Sequence, residues 1–498
     1  MNVNPITRLD YPDPDVIRVE DTYYMVSTTM HFMPGCEILQ SFDLVHWEHV
    51  TYVYETLDHT DAQQLKSGQN IYGQGMWAAS LRYHEGRFYI CFVANDTRKT
   101  YLYTSEKIDG PWKKQLIEGF YHDGSLLFDE DGRNYIVYGN DEIWITELNE
   151  DLTAPKKDGL HRLLVSDHKN PELGYEGSHI QKINGYYYIF LIHSRRDRWM
   201  RTEACFYSDS LEGEFTGGDV LCDDRGYCGQ GVAQGGIVDT PDGKWYAMLF
   251  QDSGAVGRIP ILLPVTWKDH FPFFGQNGHV PEEIEVHSTR PGYIYQPLVG
   301  SDDFCNGLLP RWQFNHDPDP RYYHLDALQG TYTITTREVC TELTQAVNTL
   351  TQRMSYPSCA AEVTVDASAL KEGDVAGLCA LQSCYAAVGI TKHHGKYEVL
   401  MLDKKEDGIL DMTEGTVVES HQMDFRLEAD FCNMKDEARC YYRVNKGDWL
   451  PIGTVHKLYF KLDHFTGCRF GLFCYAAEET GGSACFRDFK YYDVDEIS

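Results

Sequence analysis

Three acidic residues of this 498-residue chain occupy comparable places in separate but similar stretches. They are Asp13 in DPDVIRVEDTYYMVSTT, Asp123 in DGSLLFDEDGRNYIVYG and Glu176 in EGSHIQKINGYYYIFLIHS. Two further stretches of the same build open on other residues: WAASLRYHEGRFYICFVA on Trp77 and QGGIVDTPDGKWYAMLFQD on Gln234. Carboxyl groups in such a set can divide the work of acid–base chemistry. One is kept protonated to help an oxygen depart, and another stays ionised to activate water or to attack. A third carboxylate nearby raises the pKa of the acid by repulsion. Two carboxyl groups in a sugar-sized pocket are the apparatus of glycosidic bond cleavage, and a tryptophan supplies an apolar platform for a sugar ring.

That chemistry requires the five lead residues to meet, so the elements that carry them matter. Each stretch has a short apolar strand, a turn of the D-G, E-D, E-G or N-G kind, and a second strand rich in Tyr, Trp and Phe. From each lead residue to an aromatic in the second strand is 11 or 12 residues. This is the pattern of a β-hairpin. The leads lie 46 to 64 residues apart, enough for four short strands each, which is the size of a propeller blade. A five-bladed β-propeller is therefore expected over residues 1–290. A β-sandwich is the alternative, but it does not require one pattern five times. In a propeller the innermost strands line the axis, so Asp13, Trp77, Asp123, Glu176 and Gln234 are expected in one funnel. Asp13 lies between Pro12 and Pro14 in YPDPDV, which predicts a stiff, extended residue. Asp15, two residues further along, reads as a structural hydrogen-bonder.

Beyond residues 291–300, read as a linker, the blade pattern stops. TYTITT, AAEVTVDA, KYEVLMLD, HKLYFKLD and FRDFKYYDV alternate without it, and residues 301–498 are expected to form a β-sandwich. The fold class is all-β. Aromatics at 13%, with 34 Tyr and 43 Gly, agree with short strands and many turns. A formal charge of −31 excludes a nucleic-acid partner and suits a neutral ligand. No run of about 18 apolar residues predicts a membrane span. The N-terminus shows neither a basic nor an apolar leader region, so a cytoplasmic protein is expected. The fifteen cysteines are odd in number, scattered and free of any C-x-x-C pair, which predicts reduced and mostly buried thiols. The twenty histidines show no close metal-ligand spacing, and His393–His394 reads as a loop pair.

Taken in order, NPITRLDYPDPDVIRV, WAASLRYHEGRFY, HDGSLLFDEDGRNY, EGSHIQKINGYYY and GRIPILLPVTWKD resemble glycoside hydrolase family 43, five-bladed propellers that act with inversion of configuration. The resemblance covers essentially the whole chain. It implies that Asp13 is the general base, that Asp123 orients its partner and modulates that partner's pKa, and that Glu176 is the general acid. It implies further that Arg258 reaches substrate hydroxyls beside Trp77 and Gln234, with His31 and Phe32 of STTMHFMPG on the pocket rim. The C-terminal domain resembles the concanavalin-like (jelly-roll) sandwich of family members, a loop of which can close one side of the pocket. The pattern departs at Gln234, where many relatives carry an axial histidine that helps bind a cation. Glutamine offers an amide oxygen but no imidazole, so no cofactor is required and no protein-ligated metal is expected. Calcium held through waters and carbonyl oxygens is the remaining option. The implied activity is exo-acting removal of non-reducing terminal α-L-arabinofuranosyl groups from arabinoxylan or its oligosaccharides. The partner is then a plant cell-wall pentose glycan, and β-D-xylosidase action on xylo-oligosaccharides is the alternative. A non-catalytic carbohydrate-binding propeller is the alternative of another class, and the joint presence of three acids argues against it.

Overall fold

A computed structural model describes residues 2–413 and 415–493. Among the described residues the regular structure is β, with short 3-10 turns and no α-helix. The first 290 residues form five antiparallel four-stranded sheets, each built from consecutive segments of the chain. Their innermost strands are Asp15–Val19, Met76–His84, Ser125–Phe128, Glu176–Ile183 and Ala233–Asp239. Each touches the next, and the fifth touches the first, so the sheets close into a ring of five blades. Every interface between neighbouring blades has its own buried apolar cluster. Val26, Ile38, Leu81 and Ile90 belong to the one between blades one and two. Ring closure is thus a matter of side-chain packing repeated five times.

The N-terminal segment is fastened to the fifth blade. Asn2–Val3 pairs with Glu283–Ile284, and the Asn4 amide donates to the Leu262 and Pro281 carbonyls. Down the axis, Asp15 accepts hydrogen bonds from Leu81 N–H, Arg82 Nη1 and His179 Nδ1. The same guanidinium donates to the Leu126 and Ile180 carbonyls and to Ser125 Oγ. One arginine so ties together the innermost strands of four blades.

Two further sheets form a sandwich over a common apolar core. The sandwich shares structure with the propeller. Phe32–Met33 of the first blade pairs with Gln313–Asn315 as the end strand of a sandwich sheet, and Ala255, Val256 and Ile259 of the fifth blade enter the sandwich core. Their interface also holds buried charge: Glu37 pairs with Arg353 at 2.8 Å, and the Arg469 guanidinium lies 3.5 Å over the Phe32 ring. Burial acts to raise the Glu37 pKa, but Arg353 and His49 outweigh it and hold the carboxyl down at about 2. No disulfide links any of the fifteen cysteines, ten of which are buried. No helix among the described residues is long and apolar enough to cross a membrane.

Candidate active site

The three acids meet at one mouth of the axis, and each arrives by a different local device. Asp13 has φ +52°, so it is left-handed and not extended as its flanking prolines predict. Such a conformation costs on the order of 1–3 kcal/mol and persists where neighbours over-determine it. Here Pro12 O accepts from Thr28 N and Ser27 Oγ. Thr28 Oγ1 donates to Asp13 Oδ2 at 2.6 Å, and Arg258 Nη1 donates to Oδ1 at 2.8 Å. Both oxygens of the buried carboxylate are therefore held.

Asp123 and Gln234 share this left-handed backbone, at φ +47° and +62°, each two residues before the continuous pairing that starts at Ser125 and at Gly236. In the fourth blade the equivalent residue by pairing register is Gly177, at φ +65°, and not Glu176. A Cβ on Gly177 would lie 2.7 Å from Gln234 Cδ, so only glycine fits there. The second and fifth blades carry the same register shift as the fourth, so Glu176 matches Met76 and Ala233 and stands one place outside the ring of leads. It is the most accessible of the three acids, with its side chain 22% exposed, and Asn140 Nδ2 donates to its Oε2 at 2.7 Å.

His122, adjacent to Asp123, joins the acids. Its Nε2 faces Asp123 Oδ2 at 3.5 Å and Glu176 Oε2 at 3.6 Å, without a well-aligned hydrogen bond to either. Burial opposes protonation of this imidazole, but Asp123 and Glu176 outweigh it and raise its pKa to about 9. Burial, with the charges of Glu176 and Asp13, raises Asp123 to about 6 despite His122 and the Gly177 N–H that donates to it at 3.0 Å. The ligand-type atoms of His122, Asp123 and Glu176 lie within 4.8 Å of one another. Sequence spacing hid this histidine–carboxylate group, because Glu176 is 53 residues from Asp123.

The walls come from both domains. Trp77 packs 5.9 Å from the His122 ring and 5.5 Å from Phe465 of the sandwich. Phe465 also lies under the Arg258 guanidinium, 4.1 Å from ring centre to Cζ, with Phe460 at 5.6 Å. A second arginine, Arg201, pairs with Asp252, which also lies 3.6 Å from Arg258 Nε, and both guanidinium groups sit over Phe250. Burial and Arg258 lower the Arg201 pKa to about 9. Gln234 donates its backbone N–H to the buried Glu203 at 2.7 Å.

His31 and Phe32 are not on the rim. Both are fully buried, because the pairing of Phe32 with Asn315 draws this segment beneath the sandwich. There His31 packs against Tyr72, His316 and His464. Sequence reading missed His122, Arg201 and Phe465. Of these, only His122 carried a local signal, its place beside a lead aspartate.

A five-bladed propeller with three convergent acids, an indole and paired arginines at one mouth is the framework of a glycosidase. Residues 3–272 match the model for glycosyl hydrolases family 43, and residues 301–492 match that of the beta xylosidase C-terminal concanavalin A-like domain. The chain belongs to glycosyl hydrolase family 43. It is 26% identical to a beta-xylosidase of Formosa agariphila over 99% of this chain and 89% of that one. It is 24% identical to a non-reducing end alpha-L-arabinofuranosidase of Bacteroides ovatus over 82% and 79%. Among solved structures, a bifunctional GH43-CE protein of Bacteroides eggerthii superposes with a TM-score of 0.93 at 42% identity. That match takes in all of this chain but 64% of the larger protein. A family 43 enzyme engineered to display both endo-xylanase and exo-arabinofuranosidase activity superposes at 0.86 with 27% identity, each chain covered to 99%.

Proposed function

We propose that this glycosidase removes single non-reducing terminal pentoses with inversion, acting first on α-L-arabinofuranosyl side groups of arabinoxylan or its oligosaccharides. The observation that carries an exo mode is the sandwich residue Phe465, which stands against Trp77 and Arg258 and walls one side of the mouth. β-D-Xylosidase action is the second reading. It is favoured by the C-terminal domain, whose family model is described from beta xylosidases, and by the Formosa relative.

In this reading Asp13 activates the attacking water. Its two oxygens accept from a guanidinium and a hydroxyl, which fixes the carboxylate plane and leaves the remaining lone pairs for water. Glu176, the more accessible acid, delivers a proton to the departing oxygen. Asp123 and His122 stand beside Glu176 as a coupled pair that sets the charge it meets. Trp77 receives the sugar face, and Arg258 is oriented to reach hydroxyls while it holds Asp13.

The proposed steps require no metal.

The test compares release of nitrophenol from the α-L-arabinofuranoside and the β-D-xyloside with pentose release from arabinoxylan oligosaccharides. Turnover of neither glycoside would return the molecule to a binding role. NMR of the first anomer formed decides between inversion and retention. Glu176→Gln should lose more activity on oligosaccharides than on nitrophenyl glycosides, whose leaving group needs little protonation. Equal loss on both would remove Glu176 as the acid.

A further inference from the structure

Asp10 lies three residues before Asp13, is 4% exposed, and serves no step described so far. Its carboxylate joins two distant segments. Oδ1 accepts the backbone N–H of Arg258 at 2.7 Å, and Oδ2 accepts the backbone N–H of Gly467, in the sandwich, at 2.8 Å. Short contacts surround this junction. A Cβ on Gly257, at φ +105°, would come within 2.2 Å of Asp10 Oδ1. One on Gly467 would lie 2.1 Å from Val256 O and 2.8 Å from Asp10 Cβ. Tyr11 N–H donates to Arg258 O, Cys468 N–H to Ala255 O, and Arg353 Nε to Asp10 O. The segments are thus seated on one another through backbone groups that only these glycines permit.

Each segment continues into the site. Arg258 sends its guanidinium to Asp13. Two residues before Gly467 is Phe465, at φ +58°, whose ring lies under that guanidinium. A left-handed phenylalanine is uncommon and needs its surroundings to hold it. The guanidinium is therefore fixed from two directions, by its own backbone and by the ring beneath, and Asp10 accepts a hydrogen bond from both supports.

We propose that Asp10 is a positioning residue, a clamp through which the sandwich sets the placement of Arg258 and hence of Asp13. The inference rests on the proposed role of Asp13 as base. Its effect is on geometry near the reacting atoms, where misplacement by about 1 Å costs up to about 100-fold in rate. An ordinary packing residue would affect stability alone.

The test uses the full chain with Asp10→Asn, which keeps the shape but replaces one acceptor oxygen with a donor, so one of the two N–H groups loses its partner. Gly467→Ala breaks the same junction by crowding while retaining the charge. Both are expected to lower kcat/KM on the preferred nitrophenyl pentoside by about 10- to 100-fold, at a temperature where circular dichroism shows the fold intact. The same loss should shrink several-fold when Asp10→Asn is made in a Phe465→Ala background, because both changes act on one guanidinium. Hydrogen exchange of peptides covering 254–260 and 458–468 should quicken in Asp10→Asn. Unchanged kcat/KM, full additivity with Phe465→Ala, or unchanged exchange would each overturn the proposal. Exchange judges the clamp even if the wild type turns over neither glycoside, an outcome that would sink the functional reading on its own.

Discussion

Asp13 and Asp15 are two residues apart at the head of one strand, both buried, and they do opposite work. Asp15 lies in a sealed layer. Burial acts to raise its pKa, but Arg82, His179 and the Leu81 N–H outweigh it and hold the carboxyl below the ordinary range. Its partner Arg82 is likewise tied to backbone and hydroxyl groups on the third and fourth blades. The layer above, with Asp13, Asp123, Glu176 and His122, is unbalanced: Asp123 is pushed up to about 6 and His122 to about 9. A third place on the axis, the Arg18–Asp239 pair at 2.5 Å, is partly open to water. Buried charge is therefore not the mark of function. What distinguishes the mouth is charge left incompletely compensated, with one acid open to solvent.

The comparison can be broken at each level. The largest effect is expected from Asp13→Asn and Glu176→Gln, each lowering turnover of pentose oligosaccharides by about 10²–10⁴-fold, the Glu176 change with little change in melting temperature. A large fall in stability with Glu176→Gln would place this acid with Asp15. Asp15→Asn should do the reverse. It leaves Arg82 and His179 facing an uncharged amide and should cost about 3–5 kcal/mol in urea unfolding, while molecules that remain folded keep their activity. His122→Gln tests the upper layer by pH. The imidazole pKa is raised from 6.5 to about 9, so its contribution to stability is fully present below pH 6.5 and lost as pH rises through 9. The stability difference between wild type and variant should be about 1–3 kcal/mol near pH 6 and disappear above pH 9. A difference independent of pH would remove the ion pair. Arg18→Met should change stability by no more than about 1 kcal/mol, since this pair is partly open to water and screened, and a larger loss would show that the sealed layer reaches the far mouth.

Much of this was legible from local pattern. Hairpins repeat within a few tens of residues, so five blades follow from turn dipeptides and aromatic strands. Convergence of Asp13, Asp123 and Glu176 follows from ring geometry. What failed was the equivalence of Glu176 to the other leads, because a spacing of 11 or 12 residues to the aromatic strand does not resolve the one-residue difference by which Gly177 matches Trp77 and Gln234. The extended backbone expected of Asp13 gave way to Thr28 and Arg258, which lie 15 and 245 residues away. His31 and Phe32 were misplaced for a similar reason: a strand pair with Asn315 has no trace near residue 32. Phe465 enters from a separate domain, and no pattern within the propeller points to it.

The fastening of the N-terminal segment to the fifth blade has a consequence for synthesis. Domains generally fold as units while the chain emerges, yet Arg258 is made 245 residues after Asp13. The strand Asn2–Val3 waits still longer for Glu283–Ile284. A nascent chain can build its first four blades and still possess no properly seated Asp13. Readiness for chemistry is conferred only when the last blade and then the sandwich, with Phe465 and Gly467, have arrived, so incomplete products released early would be folded in part and inert.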